Sequence, residues 1–205
     1  MGETAIRTEN LSRRFGDVVA VDGLTVDIPA NQVIGFVGPN GSGKSTTIRM
    51  LLGLLAPSTG TAEVLGKSIA SPERYCDSVG ALVESPAFLS NITARANVES
   101  MALLRGVPAS RVDAVLEVVG LLPAADRRVS EFSLGMKQRL GIGIALLSDP
   151  EMLVLDEPTN GLDPAGIVEV RSLLRQLADQ GRTILVSSHL LSEIEAAADH
   201  LIVIR

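Results

Sequence analysis

Gly38-Pro39-Asn40-Gly41-Ser42-Gly43-Lys44-Ser45-Thr46 fits the pattern Gly-x-x-x-x-Gly-Lys-[Ser/Thr], a loop built to hold nucleotide phosphates. Just before it, Val33-Ile34-Gly35-Phe36-Val37 is a continuous apolar run and reads as a fully buried strand. Just after it, residues 45–55 read as a helix. Strand, glycine-rich loop and helix form the context this motif requires. Glycines at 38, 41 and 43 let backbone N–H groups turn inward without a Cβ clash. Those donors, with the helix N-terminus, make a positive pocket for anionic oxygens. Asn40, Ser42 and Thr46 complete the loop, Lys44 reaches toward the β- and γ-phosphates, and the Ser45 hydroxyl is placed to ligate Mg²⁺. A chance glycine-rich turn would explain the loop but neither of its flanks.

Two later runs, Met152–Leu155 and residues 183–186, resemble that first buried strand, and each leads into a helix. Asp163-Pro164 is a helix start, with Asp as N-cap and Pro at the first helical position. Ile167, Val170, Leu174 and Leu177 then recur along one face. Repeated strand-then-helix units imply a parallel sheet with helices on its faces. Residues 5–8 and 24–28 alternate and read as half-exposed antiparallel strands. Ala94–Leu104 and residues 111–119 read as helices with no strong strand between them, and residues 200–205 read as a last strand, expected either at a sheet edge or in a chain that stops early.

The first of these later strands ends in adjacent carboxylates. Asp156 is placed to hold Mg²⁺ directly or through water. Glu157, one residue further, is placed to orient or deprotonate an attacking water. Paired acids after an apolar run are often only a solvated strand end. Here a phosphate loop lies upstream and Pro158-Thr159-Asn160-Gly161-Leu162-Asp163 follows.

Composition narrows the classes. The chain has 205 residues, 46% hydrophobic but only 2% aromatic, so its core is built from Leu, Val, Ile and Ala. Mean hydropathy is +0.31, yet the longest apolar runs, such as residues 140–147, fall well short of the roughly 18 residues of a membrane span. A net charge of −6 argues against nucleic acid as the main ligand. The single Cys76 excludes an internal disulfide and fits a reducing cytosol. Met1-Gly2-Glu3-Thr4 does not open a signal peptide.

Leu155-Asp156-Glu157-Pro158-Thr159-Asn160-Gly161-Leu162-Asp163 resembles the joined Walker B and D-loop of ABC transporter ATPases. Ser133-Leu134-Gly135-Met136-Lys137-Gln138-Arg139 is similar to their signature motif, His189 falls at their switch histidine, and Phe15 matches the aromatic that stacks on adenine. The resemblance runs from about Ile6 to Arg205. It implies a P-loop NTPase of ABC ATPase type: a mainly parallel core sheet flanked by helices, an N-terminal antiparallel β subdomain and a helical insertion. The expected organisation is one domain over residues 1–205. Residues 1–84 and 134–205 form the ATP-binding core with its β subdomain, and about 85–133 form the insertion. That family's ATPase domain usually continues past its last strand, so the resemblance makes the chain look truncated at Arg205.

The resemblance also implies partners. Two copies sandwich two ATP molecules head to tail, and each signature helix closes over the other copy's nucleotide. Ser133, Gly135 and Asp163 belong to that interface, and His189 hydrogen-bonds the γ-phosphate and senses its loss. A separate polytopic permease crosses the membrane, with the ATPase bound to its cytoplasmic face. The signature departs from the common Leu-Ser-Gly-Gly-Gln, reading Phe132-Ser133-Leu134-Gly135-Met136. Glu84 stands where the family has a Gln, as a candidate metal contact. Ionised Glu accepts but does not donate. These departures resemble the bacterial branch that exports bacitracin-like and lantibiotic-like peptides. Two other classes compete: a soluble ABC-type ATPase of DNA repair or chromosome organisation, and a non-hydrolysing nucleotide-dependent binding module. The first usually carries heptads or extra cysteines, which this chain lacks, and Glu157 together with His189 argues against the second.

Overall fold

The computed structural model describes residues 3–83 and 88–205. Strands β1 (Thr4–Phe15), β2 (Val18–Pro29), β4 (Thr59–Val64) and β5 (Lys67–Ser68) form an antiparallel sheet in the order β2-β1-β4-β5. Strands β6 (Val79–Leu82), β7 (Met152–Leu155), β8 (Thr183–Ser188), β3 (Val33–Val37) and β9 (His200–Val203) form a parallel sheet in that order. The helices are α1 (Lys44–Leu51), α2 (Ala94–Leu104), α3 (Ser110–Val118), α4 (Leu134–Ala145), α5 (Pro164–Asp179) and α6 (Leu191–Ile194).

The continuous apolar runs are strands covered on both faces. Ile34, Phe36, Met152, Val154 and Leu185 point into a core shared with α1 and the antiparallel sheet. Val33, Leu153, Leu155, Ile184 and Val186 point into a second core with α2 to α5. The four neighbouring residues of β7, Met152 to Leu155, thus alternate between two cores, which is why their sequence shows no alternation of apolar and polar.

Several boundaries differ from the sequence reading. The expected helix over 45–55 stops at Leu51 because Gly53 turns left-handed at φ 70°. Its N–H bonds Met50 O at 3.0 Å, and Leu54 N–H bonds Arg49 O at 2.9 Å, the pattern that closes a helix at glycine. The two antiparallel strands run 12 residues each, far beyond 5–8 and 24–28. Helix α3 sits one residue earlier than 111–119. On α5, Ile167 is only half-buried, while Leu173 and Ala178 join the buried face. Asp163 caps α5 as read, accepting from Gly166 N–H at 2.8 Å.

Strand β6 escaped the reading because its residues are small. A Cβ on Gly80 would lie 2.2 Å from Ala145 O, so α4 packs directly on the strand backbone. Strand β9 does lie at the edge, parallel to β3. No described helix is long and apolar enough to cross a membrane.

Candidate functional site

Strands β3, β8 and β7 are neighbours, and their C-terminal ends release three loops on one side of the sheet. Crevices outside the carboxyl ends of parallel strands are the usual ligand positions of such sheets. A cavity of about 360 Å³ opens there, lined by Ala20, Asn40, Gly41, Gly43, Lys44, Ser45, Thr46, Glu157, Asn160 and His189.

The loop after β3 enters α1 through Gly43, whose φ of 95° only glycine adopts without strain. A Cβ there would also stand 2.3 Å from Ala20 O. Lys44, 6% exposed, donates to Gly38 O at 2.7 Å and Pro39 O at 3.3 Å. Its ammonium lies 3.2 Å from Glu157 Oε1. The loop thus curls around its own cation, which points along the cavity toward the acid.

Glu157 sits at φ 51°, an uncommon conformation for a residue with a Cβ. Its Oε2 is 2.6 Å from His189 Nδ1. Burial pushes the Glu157 carboxyl up, but hydrogen bonds from His189 and Lys44 outweigh it and hold the group below the ordinary glutamate value. An ionised carboxylate only accepts, so the His189 proton is on Nδ1. Lys44, Glu157 and His189 therefore form one contiguous chain of polar contacts across the cavity.

Asp156 is 7% exposed and its Oδ1 accepts the Ser187 hydroxyl at 2.5 Å. The same hydroxyl accepts the Glu157 N–H at 2.9 Å. One fully buried serine therefore fixes both members of the acidic pair. Ser187 was not among the residues singled out in the sequence. Its signal is a small hydroxyl at the end of an apolar strand, directly before the Ser188-His189 step.

The other sequence candidates are placed elsewhere. Gly38 and Ser42 shape the loop without lining the cavity. Phe15 is 48% exposed at the end of β1, with the Arg13 guanidinium carbon 4.6 Å from its ring centroid, a cation–π contact that braces one face. Ser133 caps α4, accepting from Met136 N–H at 3.2 Å. Around Gly135 there is open space, the nearest atom to an added Cβ being 3.9 Å away. Ser133, Gly135 and Asp163 do not line this copy's cavity. Glu84 lies outside the described residues. Among the described residues no cluster of three His, Cys, Asp or Glu side chains could hold a metal by itself.

Comparison with known proteins agrees with this geometry. The family model described as ABC transporter matches residues 21–160. The bacitracin transport ATP-binding protein BcrA of Bacillus licheniformis is 47% identical over 201 residues, covering 97% of this chain and 66% of that protein. The lantibiotic transport ATP-binding protein SrtF of Streptococcus pyogenes is 39% identical over 196 residues, covering 96% of this chain and 85% of its own length. Among solved structures, cbiO1 from Clostridium perfringens, part of the ABC transporter complex cbiONQ, superposes with a TM-score of 0.91. It is 28% identical, over 99% of this chain and 85% of that one. The chain spans just under two thirds of the BcrA length. With the matched model over most of its residues, and the phosphate loop, Glu157 and His189 converging on one cavity, the chain belongs to the ABC transporter family and has the fold of its ATP-binding cassette.

Proposed function

We propose that this chain is the ATP-hydrolysing cassette of an exporter for a drug or antimicrobial peptide, acting on a separate polytopic permease at the cytoplasmic face of the membrane. The observation that carries the reading is the Lys44–Glu157–His189 chain, closed at 3.2 and 2.6 Å inside the phosphate-loop cavity. Substrate phosphate is held by the backbone N–H groups of the loop and by Lys44. Lys44 exchanges Glu157 for phosphate oxygens when substrate enters. Glu157, ionised, is the general base that orients the attacking water, and His189 holds that base and contacts the γ-phosphate.

The donor set fits Mg²⁺. Ser45, which lines the cavity, and the buried Asp156 next to Glu157 would supply two hard oxygens, and phosphate and water would complete the shell such an ion prefers. Bound there, Mg²⁺ would neutralise charge on the phosphates, with Glu84 a third candidate contact.

The dimer reading rests on what this copy leaves outside its own cavity. The Ser133 hydroxyl and Gly135 N–H stand at the exposed N-terminus of α4, where a second copy's nucleotide could meet them. Asp163 lies at the neighbouring N-terminus of α5. Phe15 keeps one open face for adenine. The permease reading is supported by an apolar groove of about 540 Å³ that includes Leu82, Val83, Phe88, Leu89, Met101 and Leu104. Within the cassette, residues 1–84 and 134–205 form the ATP-binding core and about 85–133 the helical insertion, where α2 and α3 pack on α4. The cargo class rests on the names of the bacitracin and lantibiotic relatives.

The test is to purify the intact protein with its permease, reconstitute the pair in liposomes and measure ATPase activity with candidate peptides. Peptide-stimulated turnover, abolished in both Lys44→Ala and Glu157→Gln, is expected. Wild-type rates in either variant would overturn the catalytic reading. Failure of any peptide or drug to stimulate would overturn the cargo.

A further inference from the structure

Glu193 lies on α6, beyond every motif described above. Its Oε2 accepts the Thr159 hydroxyl at 2.7 Å and the Ser188 hydroxyl at 3.1 Å. Both hydroxyls are buried, at 1% and 0% exposed. Thr159 stands two residues past Glu157, and Ser188 directly precedes His189. One carboxylate oxygen therefore bridges the loop that carries the acid to the loop that carries the histidine.

The bridge is anchored on the histidine side. Ser188 Oγ accepts the Leu190 N–H at 3.0 Å, and its single proton is shared between Glu193 Oε2 and Leu190 O at 3.1 Å each. Glu193 N–H in turn bonds Leu190 O at 3.2 Å. The turn around His189 is thus fastened to the first turn of α6 from both ends. On the acid side, the Thr159 hydroxyl has Glu193 as its hydrogen-bond partner. Buried hydroxyls without partners are costly, so the two loops are tied to each other through this oxygen.

We infer that Glu193 is a positioning residue that holds the Glu157–His189 pair in contact, a role that rests on the catalytic reading of that pair. It touches neither member. It fixes the backbone of both loops, so that the 2.6 Å hydrogen bond between them is set before substrate arrives. Both accepted bonds fall on one oxygen, so acceptor geometry matters here and negative charge is secondary. A glutamine carbonyl can accept the same two hydroxyls.

The test uses the full chain. Glu193→Ala should lower kcat about tenfold or more, the effect of leaving buried hydroxyl donors without their acceptor, with KM for ATP within about twofold, because the phosphate loop is untouched. Glu193→Gln should recover most of that loss. Thr159→Val keeps the side-chain volume and removes one tie, so it should lower kcat in the same direction. The double variant Glu193→Ala/Thr159→Val should be no worse than Glu193→Ala alone, since both remove one coupled interaction. A second readout needs no turnover. The ¹⁵N resonance of His189 Nδ1 in the nucleotide-free protein should move in Glu193→Ala and return in Glu193→Gln.

Wild-type kcat in Glu193→Ala overturns the inference, as does an equal loss in the Ala and Gln variants with an unmoved His189 resonance. If Glu193→Ala does not fold, wild-type kcat in Thr159→Val overturns it instead. Should Glu157→Gln turn over normally, the catalytic reading falls, and the His189 resonance alone then decides whether the coupling exists.

Discussion

On the proposed reading Glu157 competes with phosphate for Lys44, so replacing Glu157 with Gln should tighten nucleotide binding while removing hydrolysis. The two charges stand 3.2 Å apart, with side chains 5% and 20% exposed. At an effective dielectric of about 20, that separation corresponds to a raw attraction of about 5 kcal/mol. Most of it is offset by the desolvation of both groups, and a partly exposed pair retains about 1 kcal/mol net. Substrate must break this pair to engage Lys44, and the carboxylate also repels incoming phosphate. Glu157→Gln removes both penalties but keeps an oxygen that can accept from Lys44 or His189. The expected gain is about 1–2 kcal/mol, roughly fivefold to thirtyfold in Kd. ADP is the ligand of choice, because the head-to-tail reading gives ATP a second route to apparent affinity through dimerisation. Titration calorimetry of ADP at micromolar protein, at constant free Mg²⁺, isolates the term. Affinity unchanged or weakened in Glu157→Gln would refute the competition argument. A gain for ATP but none for ADP would place the effect at the dimer interface, which also refutes it.

Lys44→Ala should weaken ATP binding by about a hundredfold, since two charged hydrogen bonds at about 1.5–3 kcal/mol each are lost and the apo pair with Glu157 returns part of that; calorimetry showing near-normal affinity would remove Lys44 from the phosphate site. Gly80→Ala should destabilise the fold by about 1–3 kcal/mol, because the new Cβ meets Ala145 O at 2.2 Å; an unchanged urea midpoint would show that α4 does not pack on β6 as described. Acid should destabilise the protein below about pH 4. The hydrogen bond from Arg182 holds Asp149 below its usual value, and for Asp199 burial is outweighed by the Val33 N–H and Arg175. Both carboxyls are lowered in the folded state, so their stabilisation is present above the unfolded pKa and is lost as pH falls through the folded one. Asp149→Asn should flatten that acid limb in thermal melts, and an identical limb would exclude Asp149 as a contributor.

What the sequence showed clearly was whatever is local or buried on both sides. Strands β3, β7 and β8 read as strands because two cores demand apolar side chains at every position. Helix α5 announced its start through the Asp163 cap and Pro164, and Ala94–Leu104 was bounded as it stands in α2. What failed to show was set by contacts from elsewhere in the chain. Strand β6 is Val-Gly-Ala-Leu, a composition dictated by the close approach of α4. Strand β4 carries little apolar signal, since only Ala62 and Val64 of its six residues are buried. The end of α1 depended on whether Gly53 would turn left-handed, which its neighbours alone do not decide.

The site divides the same way. The phosphate loop is a local structure, and nearly all its chemistry lies in nine consecutive residues. The acid and the histidine are not local: parallel register makes them neighbours. Leu155 pairs with Val186 in adjacent strands, so Asp156-Glu157 run on beside Ser187-Ser188 at the end of β8 and the His189 that follows it. A slip of one residue would exchange the side chains of β8 between the two cores and carry Ser187 away from Asp156. Val37 pairs with Ser188 across the next ladder, which brings Lys44 to the same edge. Ser187 and Glu193 then lock what register brings together, one tying Asp156 to the Glu157 backbone, the other tying the two loops. A motif search finds the groups that line the cavity because their spacing is short and constrained. It passes over the residues that hold them because a hydroxyl or carboxylate can reach its partner from any element the fold happens to place nearby.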